Sequence, residues 1–202
     1  MKFKILDCTL RDGGYYTNWD FDQLTVDSYL EAMNDLPVDY IEIGYRSIKL
    51  DGYLGEYFYL PISTIQKIRN KTSKKTVIIL NEKDIRSEHL ESILGQCVGL
   101  IDLVRIAIDP QNIRRAIVLA QGLKKMGFEV GFNVMYMSTW FEQKDLFECL
   151  SEVNIVADYF YMVDSFGGVY PKDVIKTYDR IKQDLTIQIG FHGHNNLELA
   201  LI

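Results

Sequence analysis

One pattern recurs along the chain and narrows its possible folds more than any other feature. A short apolar run rich in β-branched or aromatic residues is followed by a longer amphipathic stretch. The runs fall at residues 3–8, 40–45, 76–81, 103–108, 129–135, 159–163 and 187–192. The amphipathic stretches between them include 23–36, 62–70, 88–97, 113–126, 143–153 and 171–183. In 113–126 the apolar Ile113, Ala116, Ile117 and Ala120 stand at i, i+3, i+4 and i+7, the spacing of one helix face. The unit returns roughly every thirty residues, the length of a strand plus its crossover helix. Alternating strands and helices dictate a parallel sheet covered by helices. No GxGxxG follows the first strand, where Arg11, Asp12, Gly13 and Gly14 form the expected turn, so a doubly wound nucleotide-binding sheet is disfavoured. Polar residues instead close most strands: Asp12, Arg46, Asn81, Asp109, Asp164 and His192. That placement belongs to a closed barrel, which builds its site at the C-terminal strand ends. The fold class is therefore α/β, a (β/α)8 TIM barrel with seven βα units in this chain. Leu201 and Ile202 fall within an expected seventh helix. A seven-stranded barrel would leave edges open, so the chain reads as a piece of a longer protein or as one completed by another element.

Composition removes several function classes. At 202 residues, with 48% hydrophobic and 25% charged, the chain supports one domain with a sizeable core. A net charge of -6 without a Lys/Arg stripe argues against nucleic acid. The apolar patch near the N-terminus ends at Asp7, short of the ~7–15 residues of a leader or the ~20 of a span. The expectation is a cytoplasmic protein with no membrane partner. Cys8, Cys97 and Cys149 are widely spaced and lack a CxxC, so they are expected to pack as small buried apolar groups rather than form disulfides or a zinc-thiolate site.

The chemistry concentrates at two strand ends. His192 and His194, two of only three histidines, are separated by Gly193. Residues i and i+2 of a strand share a face and lie about 7 Å apart. With Ile187, Ile189 and Phe191 outward against helices, Gln188, Gly190, His192 and His194 point into the barrel. The first strand brings Arg11 and Asp12 to the same mouth, with Gly13 and Gly14 freeing the backbone to turn. Asp12, His192 and His194 form a carboxylate–imidazole set suited to Mg, Mn, Fe or Zn. By the same alternation Glu42 and Arg105 point inward, as a structural pair with each other or with Arg11, or as substrate contacts. Asn133, Asp164 and Ser165 complete the polar candidates. Strands five and six offer no inward lysine, so a Schiff-base mechanism is disfavoured.

These residues carry a resemblance. LDCTLRDGG, Glu42 in IEIGYR, MVDSFGG and FHGHNNLELA occur in order along the whole chain and resemble the DRE-TIM metallolyase superfamily, in its HMG-CoA lyase-like and 4-hydroxy-2-oxovalerate aldolase-like branches. The name of that group would refer here to Asp12, Arg11 and Glu42. The resemblance implies that residues 1–202 form an HMG-CoA lyase-like TIM-barrel domain lacking its last βα unit. It implies a divalent-metal-dependent aldolase or lyase that breaks or forms a carbon–carbon bond through a metal-bound enolate of a 2-oxo acid, giving pyruvate and an aldehyde. Mn2+ or Mg2+ would be held by Asp12, His192 and His194. Arg11, Glu42 and Tyr15 would be catalytic, and Arg105, Asn133, Asp164 and Ser165 would bind substrate. Tyr15 stands where the aldolase branch carries a histidine base. The expected partners are a small 2-oxo acid, a second copy of the chain or a downstream dehydrogenase. A Claisen-type acyl-CoA synthase and a non-catalytic metabolite- or partner-binding barrel are the alternative functions.

Overall fold

A computed structural model describes residues 3–199; Leu201 and Ile202, and with them the expected seventh helix around them, lie outside the described residues. Its strands are β1 Leu6–Asp7, β2 Tyr40–Tyr45, β3 Lys75–Asn81, β4 Leu103–Ile108, β5 Glu129–Val134, β6 Tyr159–Asp164 and β7 Gln188–Gly193. They form one sheet in chain order, every neighbour parallel. The helices are α1 Thr9–Thr17, α2 Gln23–Asp35, α3 Glu56–Tyr59, α4 Ile62–Lys71, α5 Leu90–Leu94, α6 Ile113–Lys125, α7 Lys144–Glu148, α8 Leu150–Val156 and α9 Pro171–Ile181. The sheet curls into a half-barrel, bringing β7 back beside the segment after β1, where the Cys8 thiol meets the His192 ring 184 positions away.

Burial explains the strands. β4 is covered on both faces and buried throughout, which is why LVRIAI reads as an almost unbroken apolar run. α6 buries Ile113, Ala116, Ile117, Ala120 and Leu123, the stripe that the spacing predicts. Two predicted helices are divided. The stretch 88–97 becomes α5 between 3-10 turns, and 143–153 becomes α7 and α8, separated at Cys149. The first strand is shorter than expected because the Asp7 carboxylate accepts from the Thr9 amide, 2.9 Å, and starts α1 two residues later.

Alternate residues line the barrel interior in register: Arg105 pairs with Gly131, Asn133 with Tyr161, and Tyr161 with Gly190. The two glycines make room for one ring. A Cβ at Gly190 would stand 2.7 Å from Tyr161, and one at Gly131 3.1 Å from both Tyr161 and Arg105. The Tyr161 ring in turn supports the Arg105 guanidinium, 4.4 Å from its centroid. Gly190→Ala is therefore expected to destabilise the fold by about 1–3 kcal/mol through overpacking. A lowered urea midpoint at constant m would register this, and an unchanged midpoint would contradict it.

Below this layer Lys4 donates to the Tyr159 hydroxyl, 2.8 Å, which also meets the Tyr40 hydroxyl at 2.9 Å. The outer face of β7 departs from expectation. Ile187 and Ile189 pack partly against the core, but Phe191 is 49% exposed. It lines an apolar groove of about 430 Å3 with Val174, Ile175 and Leu197. α9 contributes Val174 and Ile175 to that groove but leaves the ring half exposed.

Candidate active site

The segment LRDGGYY is helical, not the expected glycine turn. Gly13 and Gly14 continue α1, and Gly14 is required by packing, since a Cβ there would overlap the Trp19 indole. Trp19 also donates from Nε1 to the Arg11 carbonyl, 2.9 Å, tying the end of α1 back to its start. The helix thereby sets Arg11 and Asp12 at the C-terminal mouth of the sheet.

Arg11 and Glu42 form the centre of a buried ion network. Glu42 is fully buried and accepts from Arg11 Nε at 2.8 Å and from Arg105 Nη1 at 3.0 Å. Both structural pairings anticipated for Glu42 are therefore present together. Arg11 Nη1 also donates to Asp12, and Arg105 Nη2 to Asn133. Burial alone would raise the Glu42 carboxyl, but the guanidiniums of Arg105 and Arg11 outweigh it and hold the group below its ordinary range. Burial likewise opposes the Arg11 charge, and Glu42 and Asp12 reverse that effect and raise it. Arg11 is 6% exposed, and its Nη2 is buried without a hydrogen-bond partner. Arg105 thus braces Glu42, and Asn133 accepts from the same guanidinium.

The two histidines occupy different environments. His192 Nε2 lies 3.6 Å from Asp12 Oδ2. Burial, followed by Arg105 and Arg11, pushes the His192 imidazole down to about 4, so it is neutral at physiological pH and able to ligate without losing a proton. His194 is exposed, with its ring 5.2 Å from that of His192. Its Nδ1 lies 3.0 Å from the Ser165 carbonyl. A carbonyl only accepts, so Nδ1 is the donor and Nε2 is the nitrogen turned away from Ser165, the usual way a ligating histidine is oriented.

One site residue escapes the sequence reading. Cys8 is only partly buried, and its thiol donates to Asp12 Oδ2 at 3.1 Å. Burial, then Asp12 and Glu42, push that thiol up to about 12. The expectation of apolar packing holds for Cys97 and Cys149, which are buried, and fails for Cys8. Donor atoms of Cys8, Asp12 and His192 lie within 4.8 Å of one another, and this is the tight ligand cluster among the described residues. His194 borders that cluster, with its ring beside that of His192 and hydrogen-bonded to the Ser165 carbonyl. The signal that could have found Cys8 is its place four residues before Asp12, which is one helix face once α1 is read as a helix.

The remaining candidates shape the mouth. Asp164 accepts from the Gly168 and Val169 amides, at 3.2 and 3.1 Å, and organises the loop after β6. Ser165 Oγ accepts from the Tyr136 amide at 2.9 Å. Tyr15, 64% exposed on α1, pairs with the Tyr45 hydroxyl at 3.0 Å. Arg46 donates to the Ile93, Tyr59 and Leu60 carbonyls and so supports loops rather than the site.

A divalent cation fits this donor set. A carboxylate and a neutral imidazole already converge, a second imidazole stands beside the first, and Arg11 donates to the same carboxylate. Fold and mouth together define a parallel βα half-barrel with a buried Arg–Asp–Glu ion network at its C-terminal end.

Comparison with known proteins places it further. The crystallised N-terminal domain of a candidate aldolase from Bacteroides vulgatus is 53% identical, with a TM-score of 0.96 over 98% of this chain and 67% of that one. A 4-hydroxy-2-oxovalerate aldolase from Geobacillus thermodenitrificans is 30% identical over 98% of this chain and 58% of its own length. The chain thus spans less than two thirds of that curated relative. The carboxyl transferase domain of Rhizobium etli pyruvate carboxylase shares the fold alone, at 13% identity and a TM-score of 0.73 over 96% of this chain and 36% of that one. No family model matches the chain. The chain belongs to the DRE-TIM family of aldolases. Among the described residues no helix is long and apolar enough to cross a membrane.

Proposed function

We propose that the protein containing this chain is a divalent-metal-dependent carbon–carbon lyase that cleaves a 4-hydroxy-2-oxo acid to pyruvate and an aldehyde. The observation that carries this reading is Arg11. Its guanidinium is buried, clamped by Glu42 and Asp12, and left with one unpartnered donor at Nη2. A donor fixed in that way stabilises an oxygen that becomes negative during the reaction without reorganising as it does so.

Asp12, His192 and His194 are the residues that would hold the cation, Mn2+ or Mg2+ by family resemblance, which would polarise the 2-oxo group as a Lewis acid. Glu42 keeps Arg11 charged and aimed. The Ser165 carbonyl holds His194 by Nδ1, with Nε2 turned away from it. Tyr15, hydrogen-bonded to Tyr45, is the group we assign to the proton of the substrate 4-hydroxyl. The reading is tested by following pyruvate release from a panel of 4-hydroxy-2-oxo acids. EDTA is expected to abolish release and Mn2+ or Mg2+ to restore it, with Asp12→Ala inactive under all conditions. Turnover that persists in EDTA or in Asp12→Ala would exclude the assignment.

A further inference from the structure

We propose that Cys8 is a sulfur ligand of the cation site, so that this mouth prefers a thiophilic divalent ion such as Zn2+, Co2+ or Fe2+ over Mg2+. The inference deepens the metal reading above and rests on it. Its basis is geometric. Cys8 Sγ lies 3.1 Å from Asp12 Oδ2 and 3.9 Å from His192 Nδ1, while Asp12 Oδ2 lies 3.6 Å from His192 Nε2. A tetrahedral ion with bonds of about 2.3 Å to sulfur and about 2.0–2.2 Å to nitrogen and oxygen needs ligand–ligand separations of roughly 3.3–3.6 Å. The sulfur–carboxylate distance already lies close to that range, and the imidazole has to shift only slightly to bring one nitrogen into it. One imidazole can offer only one of its nitrogens, and with a single donor atom from each residue the three lie within 4.8 Å of one another.

The local fold holds the sulfur there. Cys8 immediately precedes α1, and the Asp12 amide donates to the Cys8 carbonyl at 2.8 Å, so the thiol and the carboxylate sit one helical turn apart on one face. The S–H hydrogen bond to Asp12 marks where an ion would enter. On ligation a sulfur–metal bond forms, the S–H bond breaks, and its proton passes to solvent, with no change of oxidation state. A set of one thiolate, one carboxylate and imidazole nitrogen is softer than the oxygen-rich sets that suit Mg2+. Cys97 and Cys149 are fully buried and far from this role, which leaves Cys8 as the thiol that an ion at the mouth would meet.

Cobalt titration of the purified protein, followed by absorption spectroscopy, tests the proposal. Co2+ should give a near-ultraviolet thiolate-to-cobalt charge-transfer band together with weaker visible d–d bands. In Cys8→Ser the charge-transfer band should vanish while the d–d bands remain, and Zn2+ affinity should fall at least about tenfold, with Mg2+ affinity nearly unchanged. Thermal unfolding of Cys8→Ser and Cys8→Thr establishes that the variants fold. Cobalt binding that depends on Asp12 but shows no charge-transfer band in the unaltered protein would overturn the sulfur ligand and leave the metal reading standing. Absence of any Asp12-dependent cobalt binding would overturn both.

Discussion

Glu42→Ala is expected to lower folding stability by about 3–5 kcal/mol, because it strands two buried guanidiniums without their shared counter-ion. Arg11 and Arg105 both depend on this carboxylate, and neither is exposed enough to recover solvation, at 6% and 1%. Urea unfolding should show the loss as a lower midpoint, and a midpoint equal to that of the unaltered protein would refute the network's role. The same carboxylate makes stability depend on pH. It is held below its ordinary range, so its contribution is complete above the unfolded value of about 4.3 and is lost as pH falls through the lower folded value.

Arg11→Lys should leave the fold largely intact and reduce kcat for pyruvate release by about 10²–10³-fold, the usual loss when one pre-aimed donor is removed from a developing oxyanion. Lysine keeps the charge but cannot hold Glu42 and Asp12 while offering a third donor in the same plane. The decrease should appear in kcat more than in KM, since the interaction strengthens as charge develops. A lysine variant with unchanged kcat would remove Arg11 from the chemistry and leave it only an ion-pair role.

The strands were legible as short apolar, β-branched runs, and within each the two-residue period of side-chain direction survives any tertiary context. That alternation alone turned Glu42, Arg105, Asn133 and His192 inward, and the structure places each of them there. What the period could not convey is which neighbour occupies each polar group. Arg105 faces the interior and meets Glu42, joining Arg11 as the second cation on one buried carboxylate, and Asn133 meets Arg105. Asp164 ends its strand as expected, but loop amides take both of its oxygens. Gly13 and Gly14 misled for a physical reason. Adjacent glycines signal a turn by their freedom, whereas Gly14 is present for its lack of a Cβ against Trp19, a partner five residues on that no local propensity reveals. Missing that helix also hid the shared face of Cys8 and Asp12.

The sheet is a hoop that its own backbone does not fasten. Among the described residues β1 pairs only with β2, and β7 only with β6. Where the ends meet at the top, the junction is Cys8 and Asp12 against His192, groups 184 positions apart in the case of the thiol and the ring. An ion gripped there would act as a clasp, closing a loop that spans most of these residues and adding its binding energy to folding. Catalytic readiness and the integrity of the ring would then rise and fall together.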